Sequence, residues 1–243
     1  MNPPTAEDYA NAFEAERKRE YPVIEQFEAR MGYALDRQKM EAAARVLACP
    51  VKKNPPCWQH GRVIYSSAMR RLAALNEADY AHEVRLLDIG TAKGFSALCL
   101  RWSLSDTGCC IAGTVYSVDV IDPSARISRN TVAELDGLKT LAETQADFPS
   151  CLTITFECIS GIDWLQAHPE RIHVAFVDGK HTGNVVAREG WLLSQRQEPG
   201  DLAIFDDLHL PDIAKAVNGL REYYSLERID VLPNRAYAVG IRK

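Results

Sequence analysis

Leu86-Leu87-Asp88-Ile89-Gly90-Thr91-Ala92-Lys93-Gly94-Phe95-Ser96 is the stretch on which the fold turns. An apolar strand runs into a turn with two glycines, and a helix starts where the turn ends. Glycine has no Cβ and tolerates positive φ, so backbone N–H groups in such a turn can approach a ligand closely. The helix N-terminus that follows adds a partial positive charge. The stretch therefore predicts a cofactor site of nucleotide type.

Downstream of this turn, strands and helices alternate. The pattern predicts strands over 85–89, 114–120, 152–157, 173–177 and 202–205. Helices fall between and after them, over 94–104, 124–141, 162–167, 184–195 and 211–224. This alternation argues for parallel strands joined by crossover helices. The end differs, because 226–231 and 236–241 are separated only by Leu232-Pro233-Asn234-Arg235. So short a connection makes a hairpin, and one terminal strand must run antiparallel to the rest.

Upstream lie about eighty residues that read as mostly helical. Thr5 with Asp8 resembles a capping box, Pro22 kinks or divides the helical pattern that runs to about Arg30, and Asp36 caps a helix over 37–48. The proline-rich run 49–58 is a loop, and a further helix covers 61–76. The expected organisation is a helical extension over 1–83, serving as a lid, a substrate layer or an oligomer surface, and a cofactor-binding α/β domain over 84–243.

The chain has 243 residues, 47% of them hydrophobic and 25% charged, which is enough for one large core. A net charge of −5 does not indicate a nucleic-acid groove. The seven cysteines show no C-x-x-C spacing, which argues against zinc and against a redox dithiol. Cys49 and Cys57 flank the proline loop and could pair, although free or buried thiols fit better. With no apolar signal core at its start and no bilayer-length apolar run, the sequence fits a reducing cytoplasm away from membranes.

Three further features carry chemistry. Tyr116-Ser117-Val118-Asp119 ends the second strand on an acid placed to take ribose hydroxyls, or merely to cap the next helix. Val177-Asp178-Gly179-Lys180-His181 ends a later strand on an acid, and Phe205-Asp206-Asp207 ends the next on two. If those strands are neighbours, Asp178, Asp206 and Asp207 converge on the ligand edge of the sheet. They would repel one another unless protonated or bridged by a cation, and hard oxygen ligands favour Mg²⁺, Mn²⁺ or Ca²⁺. Ordinary strand-end aspartates are the plainer alternative.

LLDIGTAKGFSAL, then VYSVDVIDP, then the terminal hairpin together resemble the class I S-adenosylmethionine-dependent methyltransferases. The resemblance covers residues 84–243. It implies a Rossmann-like, doubly wound, seven-stranded sheet, mostly parallel with a C-terminal antiparallel hairpin strand. The turn reads D-x-G-x-x-x-G, with Ala92 where a dinucleotide fingerprint has its middle glycine, so a nicotinamide dehydrogenase is disfavoured. The resemblance implies that Asp88, Gly90, Thr91 and Gly94 build the methionine end of the cofactor site and that Asp119 holds the ribose. Ser160 stands nearest to the position that contacts the adenine.

The second half is similar to metal-dependent O-methyltransferases of the catechol type and of the natural-product sugar type. That likeness implies Asp178, Asp206 and Asp207 as ligands of a divalent cation, Mg²⁺ first. It also implies His181 as the general base, working with Asp178 at the catalytic centre. Thr182-Gly183 and Asp201 depart from the sugar-type pattern. The expected function is S-adenosylmethionine-dependent methyl transfer to a hydroxyl of a small molecule, with no nucleic-acid partner and with homo-oligomerisation through the N-terminal helices left open. The alternatives are a metal-independent N- or other methyltransferase, and a non-catalytic cofactor-binding protein.

Overall fold

A computed structural model describes residues 4–51, 56–75, 83–108, 113–126, 139–148 and 154–243. Among these residues four helices come first: α1 (Ala6–Arg17), α2 (Pro22–Met31), α3 (Arg37–Leu47) and α4 (His60–Leu72). Thr5 and Asp8 close a capping box on α1, and the Asp36 side chain caps α3 through Lys39 N at 2.7 Å. Pro22 divides the first helical run rather than kinking it. It occupies the first turn of α2, where its missing N–H costs no hydrogen bond.

The sheet follows as β1 (Val84–Ile89), β2 (Gly113–Asp119), β3 (Ile154–Cys158), β4 (Val174–Val177), β5 (Leu202–Phe205), β6 (Tyr224–Leu232) and β7 (Arg235–Arg242). Interleaved are α5 (Phe95–Asp106), α6 (Leu141–Gln145), α7 (Gly161–Ala167), α8 (Gly183–Ser194) and α9 (Pro211–Asn218). The order is β3-β2-β1-β4-β5-β7-β6, with β7 antiparallel to both of its neighbours and the other pairings parallel. This is the Rossmann-like, doubly wound sheet that the sequence predicts.

Two expectations shift. The helix expected over 211–224 stops at Asn218, and a 3₁₀ turn (Gly219–Glu222) follows it. Tyr224 already belongs to β6, because its ring packs edge-on to Phe205 and its hydroxyl donates to Gln197 Oε1 at 2.7 Å. The helix expected over 124–141 falls largely on 127–138, which lie outside the described residues. The short α6 after it was not foreseen, although Thr140 and Glu143 form a capping box at its start.

Alternation along the strands sends side chains to two cores. Leu86, Phe176 and Ile204 pack with Ile24 and Ile64 of the N-terminal helices, Trp58 just before α4 and Leu98 of α5. Leu87, Val177 and Phe205 pack with Trp164, Leu193 and Ile213 on the opposite face. One apolar cluster thus runs across residue 84, and the N-terminal helices cover a face of the sheet. Cys49 and Cys57 are both buried and free.

Asp201, the departure at the start of β5, lies at the end of the sheet away from the ligand edge. It is fully buried and accepts from Arg71 of α4 (2.8 and 3.1 Å) and from Arg171 (2.9 and 3.1 Å). It ties the N-terminal layer to the sheet. Removing one partner of a buried ion pair leaves uncompensated charge. Asp201→Ala is therefore expected to lower unfolding stability by about 3 kcal/mol, read from urea denaturation, while leaving ligand binding unchanged.

Candidate active site

The ligand edge is assembled by backbone pairing before any side chain acts. Gly90 N donates to Val118 O at 2.9 Å, and Asp178 N donates to Ile89 O at 2.8 Å, so the turns after β1 and β4 are held side by side. Gly90 has φ +99°, and a Cβ on it would stand 2.1 Å from the Asp178 carbonyl oxygen. The first glycine of the turn is thus required by the neighbouring strand as much as by any ligand. Gly94 precedes α5 at φ +80°, where a Cβ would strike the Gln145 side chain at 2.5 Å. Ala92 takes φ +45°, a conformation uncommon for a residue with a side chain.

Asp119 braces this turn, its Oδ2 accepting from Ala92 N and its Oδ1 from Ile121 N, both at 3.1 Å. Asp88 behaves differently from an open cofactor contact. It is fully buried behind the turn, and its Oδ2 accepts from Ser117 Oγ at 2.6 Å. The Ser117 hydroxyl in turn lies 2.7 Å from the Thr91 hydroxyl, within hydrogen-bond distance. Asp88 therefore sets the turn through Ser117 and Thr91. Ser160 caps α7, accepting from Asp163 N at 3.1 Å and donating to Asp163 Oδ2 at 2.6 Å.

Burial pushes Asp88 up to about 7, against the Ser117 hydrogen bond that favours its anion. The folded state then holds this proton more tightly than the unfolded chain, whose aspartates titrate near about 4. Asp88 thus contributes stability that is complete below pH ~4 and is lost as the pH rises through ~7. Asp88→Asn is expected to flatten the fall in melting temperature between pH 5 and 8, measured by calorimetry at one ionic strength.

A cleft of about 750 Å³ opens between these turns, a volume in the range of small-molecule sites. Gly90, Asp119, Ser160, Asp178, His181 and Asp207 all line it. At its mouth His181 Nδ1 lies 2.6 Å from Asp207 Oδ2 and 3.7 Å from Asp178 Oδ1. Donor atoms of Asp178, His181 and Asp207 fall within 4.8 Å of one another. Asp206 stands next to them but turns its Oδ1 back onto Asp207 N at 2.5 Å. The group gathered by geometry contains Asp178 and Asp207 of the three expected ligands and has His181, the expected base, in place of Asp206. Asp207 itself sits at φ +59°, the kind of backbone strain that clusters at functional sites.

The electrostatics follow from this arrangement. Burial, then the charges of Asp206 and Asp207, hold Asp178 well above the usual carboxylate range. Burial and Asp207 push Asp206 up to about 7. Burial alone would raise Asp207 too, but the His181 hydrogen bond and the positive charges of His181, Arg235 and His209 bring it below its ordinary value. The Asp207 contact in turn raises His181. His60 is packed between the Phe95 and Phe176 rings behind the site, where burial lowers it to about 3 and keeps it neutral.

The sequence reading missed Arg235, whose Nη1 lies 3.3 Å from Asp207 Oδ1. It also missed Glu189 on α8 and Val120 after β2, which line the same cleft.

A family profile described as "Methyltransferase domain" matches residues 87–208, just over half of the chain. The chain belongs to this methyltransferase family, of the class I, S-adenosylmethionine-dependent kind. The methyltransferase also shares its fold with solved O-methyltransferases. The O-methyltransferase TomG of Streptomyces achromogenes, involved in tomaymycin synthesis and solved with S-adenosylmethionine, is 13% identical with a TM-score of 0.54. That alignment covers 94% of this chain and 99% of TomG. An O-methyltransferase of Bacillus cereus, solved with S-adenosylhomocysteine, is 14% identical with a TM-score of 0.51, and 93% of each chain is covered. No curated protein sequence matches the methyltransferase. Among the described residues, no helix is long and apolar enough to cross a membrane.

Proposed function

We propose that the protein transfers the methyl group of S-adenosylmethionine to a hydroxyl of a small molecule, assisted by a divalent cation, Mg²⁺ first. The observation that carries this reading is the convergence of Asp178, His181 and Asp207 at the mouth of the cleft. Burial and mutual repulsion raise Asp178 and Asp206 above the usual carboxylate range, which is the electrostatic signature of carboxylates that lack a sufficient counter-charge. Oxygen donors of this kind fit a hard cation. Asp178 and Asp207 would hold it, with Asp206 beside them, and it would supply acidity to a bound hydroxyl.

The chain's own residues account for the remaining work. Gly90, Ala92 and Asp119 line the donor half of the cleft, and each Asp119 oxygen, already accepting one backbone hydrogen bond, has a second lone pair for the ribose hydroxyls. Ser160 and the β3–α7 turn border the adenine end. His181, half exposed and raised by Asp207, takes the proton from the acceptor hydroxyl. The sulfonium methyl is already activated, so alignment of oxygen, carbon and sulfur is the main demand on the fold. Orientation of this kind supplies on the order of 7 kcal/mol or more.

Arg235 supports a second reading. Its guanidinium already balances part of the Asp207 charge, as a protein-borne cation would in a metal-independent transferase. Calorimetry decides between the two. S-adenosylhomocysteine is expected to bind the protein alone. Mn²⁺ or Mg²⁺ is expected to bind next, and EDTA to stop transfer to a panel of vicinal diols. Transfer that survives EDTA overturns the metal-assisted reading, and absence of S-adenosylhomocysteine binding overturns both.

A further inference from the structure

Glu189 is an acidic residue of the cleft for which this chemistry has no use. It sits on the inward face of α8 and is 3% exposed. Its Oε2 is buried without a hydrogen-bond partner. Its Oε1 lies with the Ile89 side chain against two turns that carry glycine there. A Cβ on Gly161 would lie 2.7 Å from it, and one on Gly179 3.7 Å from it. Burial alone, with no charged neighbour contributing, raises Glu189 to about 7. An unpartnered carboxyl is costly to bury, so its placement on a ligand cleft calls for a ligand group that satisfies it.

The surroundings restrict what that group is. Gly161 belongs to the β3–α7 turn, where Ile159 and Ile162 face the cleft, and Val120 lies across it with 72% of its surface exposed. Apolar walls beside one buried carboxyl suit a flat heterocycle with a polar edge. The nearby polar side chains are otherwise engaged. The Ser160 hydroxyl and the Asp163 carboxylate are committed to each other as the cap of α7, and Asp119 is bound to the glycine turn. Among the described residues beside the β3–α7 turn, Glu189 is a carboxyl with an unpartnered oxygen.

We propose that Glu189 is a specificity-determining residue that reads the base of the adenosyl cofactor, its carboxyl accepting a hydrogen bond from the exocyclic 6-amino group. The inference rests on the cofactor reading above. The carboxyl, supplied by α8, reaches the cleft beside the Ile89 side chain, where Gly161 and Gly179 carry no side chains of their own.

The test compares S-adenosylhomocysteine with its 6-deamino analogue, which keeps the purine ring and lacks the amino group, by calorimetry on the full chain. The wild type is expected to prefer S-adenosylhomocysteine by about tenfold or more. Glu189→Gln keeps an acceptor oxygen and should retain that preference. Glu189→Leu should reduce it to about twofold or less, with both variants checked for folding by circular dichroism. Equal binding of the two ligands by the wild type overturns the assignment without any variant. An unchanged preference in a folded Glu189→Leu overturns it as well. Failure of the wild type to bind S-adenosylhomocysteine at all instead removes the cofactor reading on which the inference rests.

Discussion

Asp178→Ala is expected to reduce methyl transfer by about a thousandfold, on the order of 4 kcal/mol of transition-state stabilisation, while S-adenosylhomocysteine affinity stays within about threefold. The two effects separate because different atoms of Asp178 do different work. Its backbone pairs with Ile89 and packs against Gly90, so the donor half of the cleft depends on main-chain atoms that alanine keeps. Its carboxylate faces His181 and Asp207 at the mouth, where the acceptor must be held. Stability should move the other way. Asp178 is raised well above the usual range by burial and by Asp206 and Asp207, so its ionisation opposes folding as the pH rises. Removing it should leave the melting temperature at pH 8 unchanged or higher. Equal losses of transfer and of cofactor affinity would mark the residue as structural and overturn its proposed role.

The sheet was legible in the sequence because its strands carry two superimposed signals, apolar runs and a fixed alternation with helices. Leu86 and Leu87, or Val177 and Phe176, go to opposite cores as the strand period requires. Asp178, Asp206 and Asp207 were legible for the same reason, since parallel neighbouring strands deliver their C-terminal residues to one edge. What sequence order could not give was rotamer. Asp206 and Asp207 are adjacent, yet one carboxylate turns onto its neighbour's backbone and the other meets His181.

Arg235 was within reach. An antiparallel β7 must begin where the parallel strands end, so the first residue after the hairpin turn lies beside the aspartates. Glu189 also leaves a trace, as a lone acid between Val186 and Leu193 on the buried face of an amphipathic helix. Asp88 shows the opposite problem. Its place before the glycines suggests ligand contact, whereas the turn conceals it and uses it at second hand through Ser117 and Thr91.

His181→Ala is expected to slow transfer by about a hundredfold or more, the range for loss of a positioned base. The pH dependence identifies the role. Contact with Asp207 raises the imidazole above its ordinary value, so at low pH His181 is protonated and cannot accept the hydroxyl proton. The wild-type rate should therefore climb with pH through that raised value and then level off. The variant's deficit should be greatest on the plateau and shrink below it, where the wild type has also lost its base. Asp207→Asn supplies a second reading of the same group, because it removes the main cause of the shift. Its residual activity should show the inflection at lower pH than the wild type. An inflection that stays in place in His181→Ala would assign the titration to another group. The 2.6 Å contact with Asp207 would then serve to neutralise that carboxylate and to close the mouth of the cleft, and the proton would leave by another route.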